Sequence, residues 1–152
     1  MGLRAELQIA SVESNAPGQT EFDRCLEVCF GDEPAQGVLI RIVGISESSD
    51  LNLQYRNKTG PTNILSFPFE VPPGIPSDHL GDLVICAPIV SSEAIEQGKL
   101  VLHHWIHLLI HGVLHLQGFD HIAPEEAKEM ELLETKLLSL LDIPDPYNSP
   151  EK

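Results

Sequence analysis

The stretch "LLIHGVLHLQGFDHI" (108–122) places histidines at positions 111, 115 and 121 around Gly118. On a helix, His111 and His115 project from one face, one turn apart, so their ring nitrogens can reach one ion. Gly118 can adopt the backbone conformation that ends the helix and turns the chain back, bringing His121 toward the same ion. Three imidazoles on a divalent first-row metal leave a fourth position for water, the arrangement of a catalytic zinc rather than a structural one. A closed structural site needs a fourth protein ligand, and Cys86 is the only remote candidate. Single histidines on apolar helices are usually hydrogen-bonded core residues. The combined spacing of these three favours metal binding.

The same spacing occurs in the metzincin proteases, H-E-x-x-H-x-x-G-x-x-H. Here Gly112 stands where the protease keeps its glutamate general base. The pattern therefore predicts a metal-activated water and argues against a standard metalloprotease. Asp120 neighbours the third histidine, and its direction is not readable from sequence. His104 and His107 lie one and two turns back on the same helix, where a packing or hydrogen-bonding role is favoured over proton shuttling.

These histidines need a rigid support. The 152 residues, 42% hydrophobic and 21% charged, suffice for one domain with its own core. The alternation in residues 3–10 predicts a strand rather than a signal peptide. A helix follows from about Thr20 to Phe30, then a turn region at 31–37 and a strand at 38–44 with Arg41 embedded. Residues 46–57 are predicted as a short helix, their opening Ser and Asp residues taken as caps. In "NILSFPFE" (63–70), Leu65, Phe67 and Phe69 alternate with Ile64, Ser66 and Glu70, and Pro68 marks an edge strand. After a proline-rich loop come a strand at 80–87 and helices at about 88–97 and 99–117, separated by Gly98. The second of these helices is apolar nearly all round (Leu100, Val101, Trp105, Ile106, Leu109, Ile110, Val113, Leu114), which predicts the central buried helix. A last helix, Pro124 to Leu141, presents Met130, Leu133, Leu137, Leu138 and Leu141 on its apolar face.

Strands gathered early and helices late give an α+β reading: one domain over 1–142, a mixed sheet of about four strands packed with helices, and a flexible tail over 143–152. No apolar run is long enough to span a bilayer. Cys25, Cys29 and Cys86 form no CxxC pair, which fits a reducing cytoplasm. Cys25 and Cys29, one helical turn apart, are expected to be buried thiols rather than a metal pair.

The net charge of −14 argues against bulk electrostatic coating of nucleic acid. The charge is uneven, however. Residues 123–152 hold Glu125, Glu126, Glu129, Glu131, Glu134, Asp142, Asp145 and Glu151 against Lys128, Lys136 and Lys152. A locally basic groove elsewhere is compatible with this composition.

"HGVLHLQGFDH" (111–121) resembles the H-G-x-L-H-L-x-G-Y-D-H signature of the YbeY family of bacterial endoribonucleases and rRNA maturation factors, with Phe119 where tyrosine is usual. "LNLQYRNKTGPTNILSFPFE" (51–70) and "LGDLVIC" (80–86) are similar to that family's other blocks, in the same order. The likeness runs from Leu51 to about Tyr147, while the first fifty residues match only in general pattern. The resemblance implies a cytoplasmic metal-dependent hydrolase cutting single-stranded RNA, in rRNA maturation and ribosome quality control. It implies one Zn2+ on His111, His115 and His121 with water as fourth ligand, and a functional role for Arg56. The implied partners are rRNA and the ribosome or its proteins, with no membrane and no DNA. A guanidinium suits a phosphate better than an ammonium does, and Lys58 and Arg41 are candidates to line the approach. Two other readings are a metalloprotease accepting a peptide along the edge strand 63–70, and a non-catalytic, zinc-stabilised protein that binds the ribosome.

Overall fold

In the sheet, apolar side chains on alternate positions bury both faces. On β2 (Gly37–Val43), Val38, Ile40 and Ile42 enter the main core. On β4 (His79–Cys86), Leu83 and Ile85 join them, while Val84 and Cys86 pack with Val43 and Leu65 on the opposite face. The computed structural model describes residues 5–9, 16–30, 37–69, 79–118 and 124–144. β1 (Ala5–Ile9) and β3 (Ile64–Pro68) complete a four-stranded sheet in the order β1-β2-β4-β3. β1, β2 and β4 run parallel, and β3 lies antiparallel to β4 at the edge, as its proline predicts.

The helices are α1 (Gln19–Phe30), α2 (Ile45–Arg56), α3 (Ala87–Gln97), α4 (Val101–Leu116) and α5 (Pro124–Leu140). The result is a single-domain α+β fold with a mixed sheet. Strands and helices interleave along the first half of the chain, so the expected run of strands followed by helices is replaced by alternation. α4 is the central buried helix. It packs between the sheet and the pair α1 and α5, and Trp105 meets Phe22 of α1 edge-on at 6.2 Å. Leu100 and Leu102, at its start, are exposed rather than buried. α5 buries Met130, Leu137 and Leu138 as its pattern predicts. Among the described residues, no helix is long and apolar enough to cross a membrane. The predicted turn at 31–36, the loop over 70–78 and the tail from 145 lie outside the described residues.

α2 is a helix, but not for the reason its sequence first offers. Gly44 is its N-cap, with no side-chain cap. Ser48 and Asn52, one turn apart, are buried instead and hold the following loop. The Ser48 hydroxyl donates to Thr62 O at 2.9 Å and accepts from Thr62 N at 3.0 Å, and Asn52 Nδ2 donates to Gly60 O at 2.9 Å. These bonds satisfy loop backbone groups that burial would otherwise leave unpaired. They also tie the end of α2 to the start of β3.

Two close approaches require glycine. A Cβ on Gly112 of α4 would lie 2.8 Å from Ile64 Cδ1 and 2.9 Å from Leu83 Cδ2, so the histidine helix sits directly on β3 and β4. On Gly81, a Cβ would lie 2.6 Å from the Phe67 carbonyl oxygen and 2.7 Å from Leu116 Cδ2. Because backbone cannot yield as a side-chain tip can, Gly81→Ala is expected to destabilise by about 1–3 kcal/mol. Urea unfolding checks this, and an unchanged midpoint would contradict the packing described.

Candidate active site

α4 ends at the helical C-cap Gln117, and Gly118 follows with φ of +104°, the turn expected after the histidine helix. His111 and His115 are half-buried on one face of α4, beside the face that Gly112 lays on the sheet. Their Nε2 atoms face each other at 3.1 Å. His107 lies one turn earlier, its ring centroid 6.5 Å from that of His111.

Behind these rings sits Glu134 of α5, which is 0% exposed. Its Oε1 accepts from His107 Nε2 at 2.9 Å, and its Oε2 contacts His111 Nδ1. As a carboxylate, Glu134 would accept from both rings, an arrangement that puts the His111 proton on Nδ1 and leaves the Nε2 lone pair toward the cleft. Glu134 is one of the eight acids of residues 123–152, and no site role was assigned to it on sequence grounds. One signal was available: it lies four residues after Met130 and three before Leu137, on the apolar face.

His104 makes a separate pair. Its Nε2 lies 2.9 Å from Glu93 Oε1 of α3, and Glu93 also accepts from Asn63 Nδ2 at 3.1 Å. His104 and His107 thus have the hydrogen-bonding roles favoured from sequence. Burial pushes the His104 pKa down, Glu93 pulls it up, Lys99 and His107 add to the lowering, and burial prevails.

Facing α4 across a cleft of about 720 Å³ are the last residues of α2 and the edge strand β3. Arg56 ends α2, where Asn57 takes the left-handed conformation (φ 58°, ψ 35°) and donates its N–H to Leu53 O at 3.1 Å. Arg56 therefore lines the same cleft as His107, His111 and His115. In β3, Asn63 and Phe69 bond toward β4 (Cys86 N to Asn63 O, 2.9 Å; Phe69 N to Leu80 O, 3.0 Å). By antiparallel alternation the N–H groups of Ile64 and Ser66 point to the free edge, along the cleft. No Asp or Glu lines the cleft among the described residues.

Two expected contributors are elsewhere. Arg41 is clamped by Glu47 (Nε–Oε2 2.6 Å, Nη2–Oε1 3.0 Å), with Nη1 on Gln8 Oε1 at 3.2 Å. A guanidinium so engaged is not free for the cleft, which corrects its assignment to the approach. Lys58 is exposed and is not among the lining residues described. Cys25 is buried, and the hydrogen bond its thiol makes to Cys29, reinforced by burial, raises its pKa well above the ordinary thiol value, which keeps it protonated.

The donor set suits a metal. Two imidazole nitrogens on one tetrahedral zinc at 2.0–2.1 Å would be roughly 3.3 Å apart, close to the separation seen between His111 and His115. The carboxylate behind His111 is the partner that metal-ligating histidines regularly have. His121 lies outside the described residues, and among those described no three His, Cys, Asp or Glu side chains form a metal-holding group.

A family model described as endoribonuclease YbeY matches residues 8–142. The chain belongs to the YbeY endoribonuclease family. The solution structure of TM1509 from Thermotoga maritima shares the fold, with a TM-score of 0.59 and 22% identity over 97% of this chain and 99% of that one. YbeY membership gives the reaction class, hydrolysis of RNA by an endoribonuclease of rRNA processing. No Asp or Glu is among the described residues that line the cleft, where Arg56 is the cation, while Glu93 and Glu134 stand behind its walls, bonded to Asn63, His107 and His111.

Two outcomes follow for the polar interior. Glu134→Ala removes the acceptor of two imidazoles and is expected to cost about 3–5 kcal/mol in chemical denaturation. A cost below about 1 kcal/mol would show the contact to be incidental. His104 is held below its unfolded value of about 6.5, so the unfolded chain binds its proton first as pH falls. Its contribution to stability is complete above about pH 6.5 and declines below it until the folded pKa is reached. Unfolding midpoints compared at about pH 7.5 and about 5.5 should fall less in His104→Gln than in wild type.

Proposed function

We propose that this chain is a zinc-dependent, single-strand-specific endoribonuclease that matures rRNA and serves ribosome quality control, with the ribosome or its proteins as partners. The observation that carries the reading is the facing pair of His111 and His115 Nε2 atoms in a cleft shared with Arg56, with no Asp or Glu among its described lining residues. His111, His115 and His121 would hold the ion. When bound, a divalent ion at such a site polarises a phosphoryl oxygen and acidifies water.

The chain's own groups do the rest. Glu134 keeps the His111 proton on Nδ1, so that Nε2 stays a ligand rather than a donor. Arg56 offers paired N–H donors to nonbridging phosphate oxygens, where charge gathers as the bond breaks. Ile64 and Ser66 N–H groups on the free edge supply further donors for the RNA strand.

A peptidase reading loses its catalytic carboxylate here. Position 112 is glycine, and a Cβ there would already press on the side-chain tips of Ile64 and Leu83.

Zinc-loaded wild type should cut a labelled single-stranded RNA, and a chelator should abolish the cutting. His115→Ala should lose both metal and activity while staying folded. Arg56→Ala should retain metal and lose on the order of 10²–10³ in kcat. Product ends identify the nucleophile: a 2′,3′-cyclic phosphate means attack by the 2′-hydroxyl, and its absence means attack by water. Equal cleavage by wild type and His115→Ala would contradict the assignment, and full complementation of a deletion strain by His111→Ala would make catalysis incidental.

A further inference from the structure

Next to the cleft lies a row of aromatic side chains that the metal chemistry does not use. Tyr55, 58% exposed, meets Phe67 edge-on, with ring centroids 5.1 Å apart and planes at 73°. Two residues along the same strand face, Phe69 is 51% exposed and meets His79 edge-on at 5.3 Å. Tyr55 and Phe67 line the cleft itself, beside Arg56. Phe67 packs on its inner side against the cluster of Val43, Leu65, Val84 and Cys86, while Tyr55 and Phe69 are left half-exposed, and rings so placed suit a ligand with flat apolar faces.

The charge around them favours one kind. From Leu51 to Phe69 the chain has Arg56 and Lys58 and no acid, within a protein of net charge −14. In space one acid adjoins the row, Asp82, which is cross-strand from Phe67 and paired with His79 at 2.8 Å. Cations beside exposed rings are the chemistry of single-stranded nucleic acid binding: cations follow the phosphates, and rings stack on bases.

We propose that Tyr55, with Phe67 and Phe69 continuing the row, forms a base-stacking platform that holds unpaired nucleotides of an RNA strand next to the bond that is cut. The proposal rests on the endoribonuclease reading and deepens it. Stacking requires bases splayed from a duplex, so the platform itself would select unpaired RNA. Because every base has a π-face, it would do so with little sequence preference. Tyr55 is a binding residue in this account and takes no part in bond breaking.

The test uses metal-loaded protein, a short cleavable single-stranded RNA, and its 2′-O-methyl analogue for equilibrium binding. Each is made intact and with one abasic nucleotide moved along the strand. Tyr55→Leu should weaken binding roughly five-fold or more and raise KM while leaving kcat and metal content unchanged, and Tyr55→Phe should bind as wild type does. At one abasic position the Tyr55→Leu penalty should vanish, because the base that stacks is already gone. The salt dependence of binding should be the same in wild type and Tyr55→Leu, since no phosphate contact is lost. Equal affinity of Tyr55→Leu and wild type, or a penalty that persists at every abasic position, would overturn the platform with the nuclease reading intact. Failure of wild type to bind or cut the intact RNA would instead overturn the nuclease reading.

Discussion

A carboxylate with no access to solvent fixes the geometry of this molecule's chemistry. Glu134 on α5 reaches across to α4 and takes both His107 and His111, so these two consecutive helices are locked in one relative position. A buried charge is tolerated only when its lone pairs are occupied by good donors, and here the donors are the imidazoles that line the cleft. The same contact that makes the charge affordable decides which nitrogen of His111 faces the substrate side. Packing, tautomer and ligand direction are one constraint.

The opposite wall is set by different means. α4 lies close on β3 and β4 at Gly112, where a Cβ would press on the side-chain tips of Ile64 and Leu83, and β3 is an edge strand whose outer backbone faces the cleft. Ser48 and Asn52 bind the loop that joins α2 to β3 and thereby place Arg56. Polar residues on the inner face of a weakly amphipathic helix thus serve the site from outside it. The cleft combines one wall made rigid by the core with another held by side-chain bonds to backbone.

Much of this was legible from sequence because the signals were periodic. The helices and strands fall within a residue or two of their predicted bounds, and Pro68 announced the edge strand correctly. The i, i+4 histidines face one cleft, as their spacing requires. Glu134 was missed because a glutamate among many on an amphipathic helix is ordinarily solvated, and only its position between Met130 and Leu137 marks it as inward. Arg41 was misplaced because sequence shows a cation in a strand but not the Glu47 that clamps it. The Ser residues opening α2 were taken for caps because local patterns favour caps; their actual partners, across a loop, are tertiary. His121, the third predicted ligand, lies outside the described residues, so the convergence of all three rests on spacing and family resemblance.

Zinc K-edge X-ray absorption on the zinc-loaded protein tests the central claim directly. The account predicts one zinc per chain, nitrogen and oxygen neighbours at 2.0–2.1 Å, and the outer-shell scattering of three imidazoles. A sulfur neighbour near 2.3 Å, fewer than three imidazoles, or failure to take up zinc would contradict it.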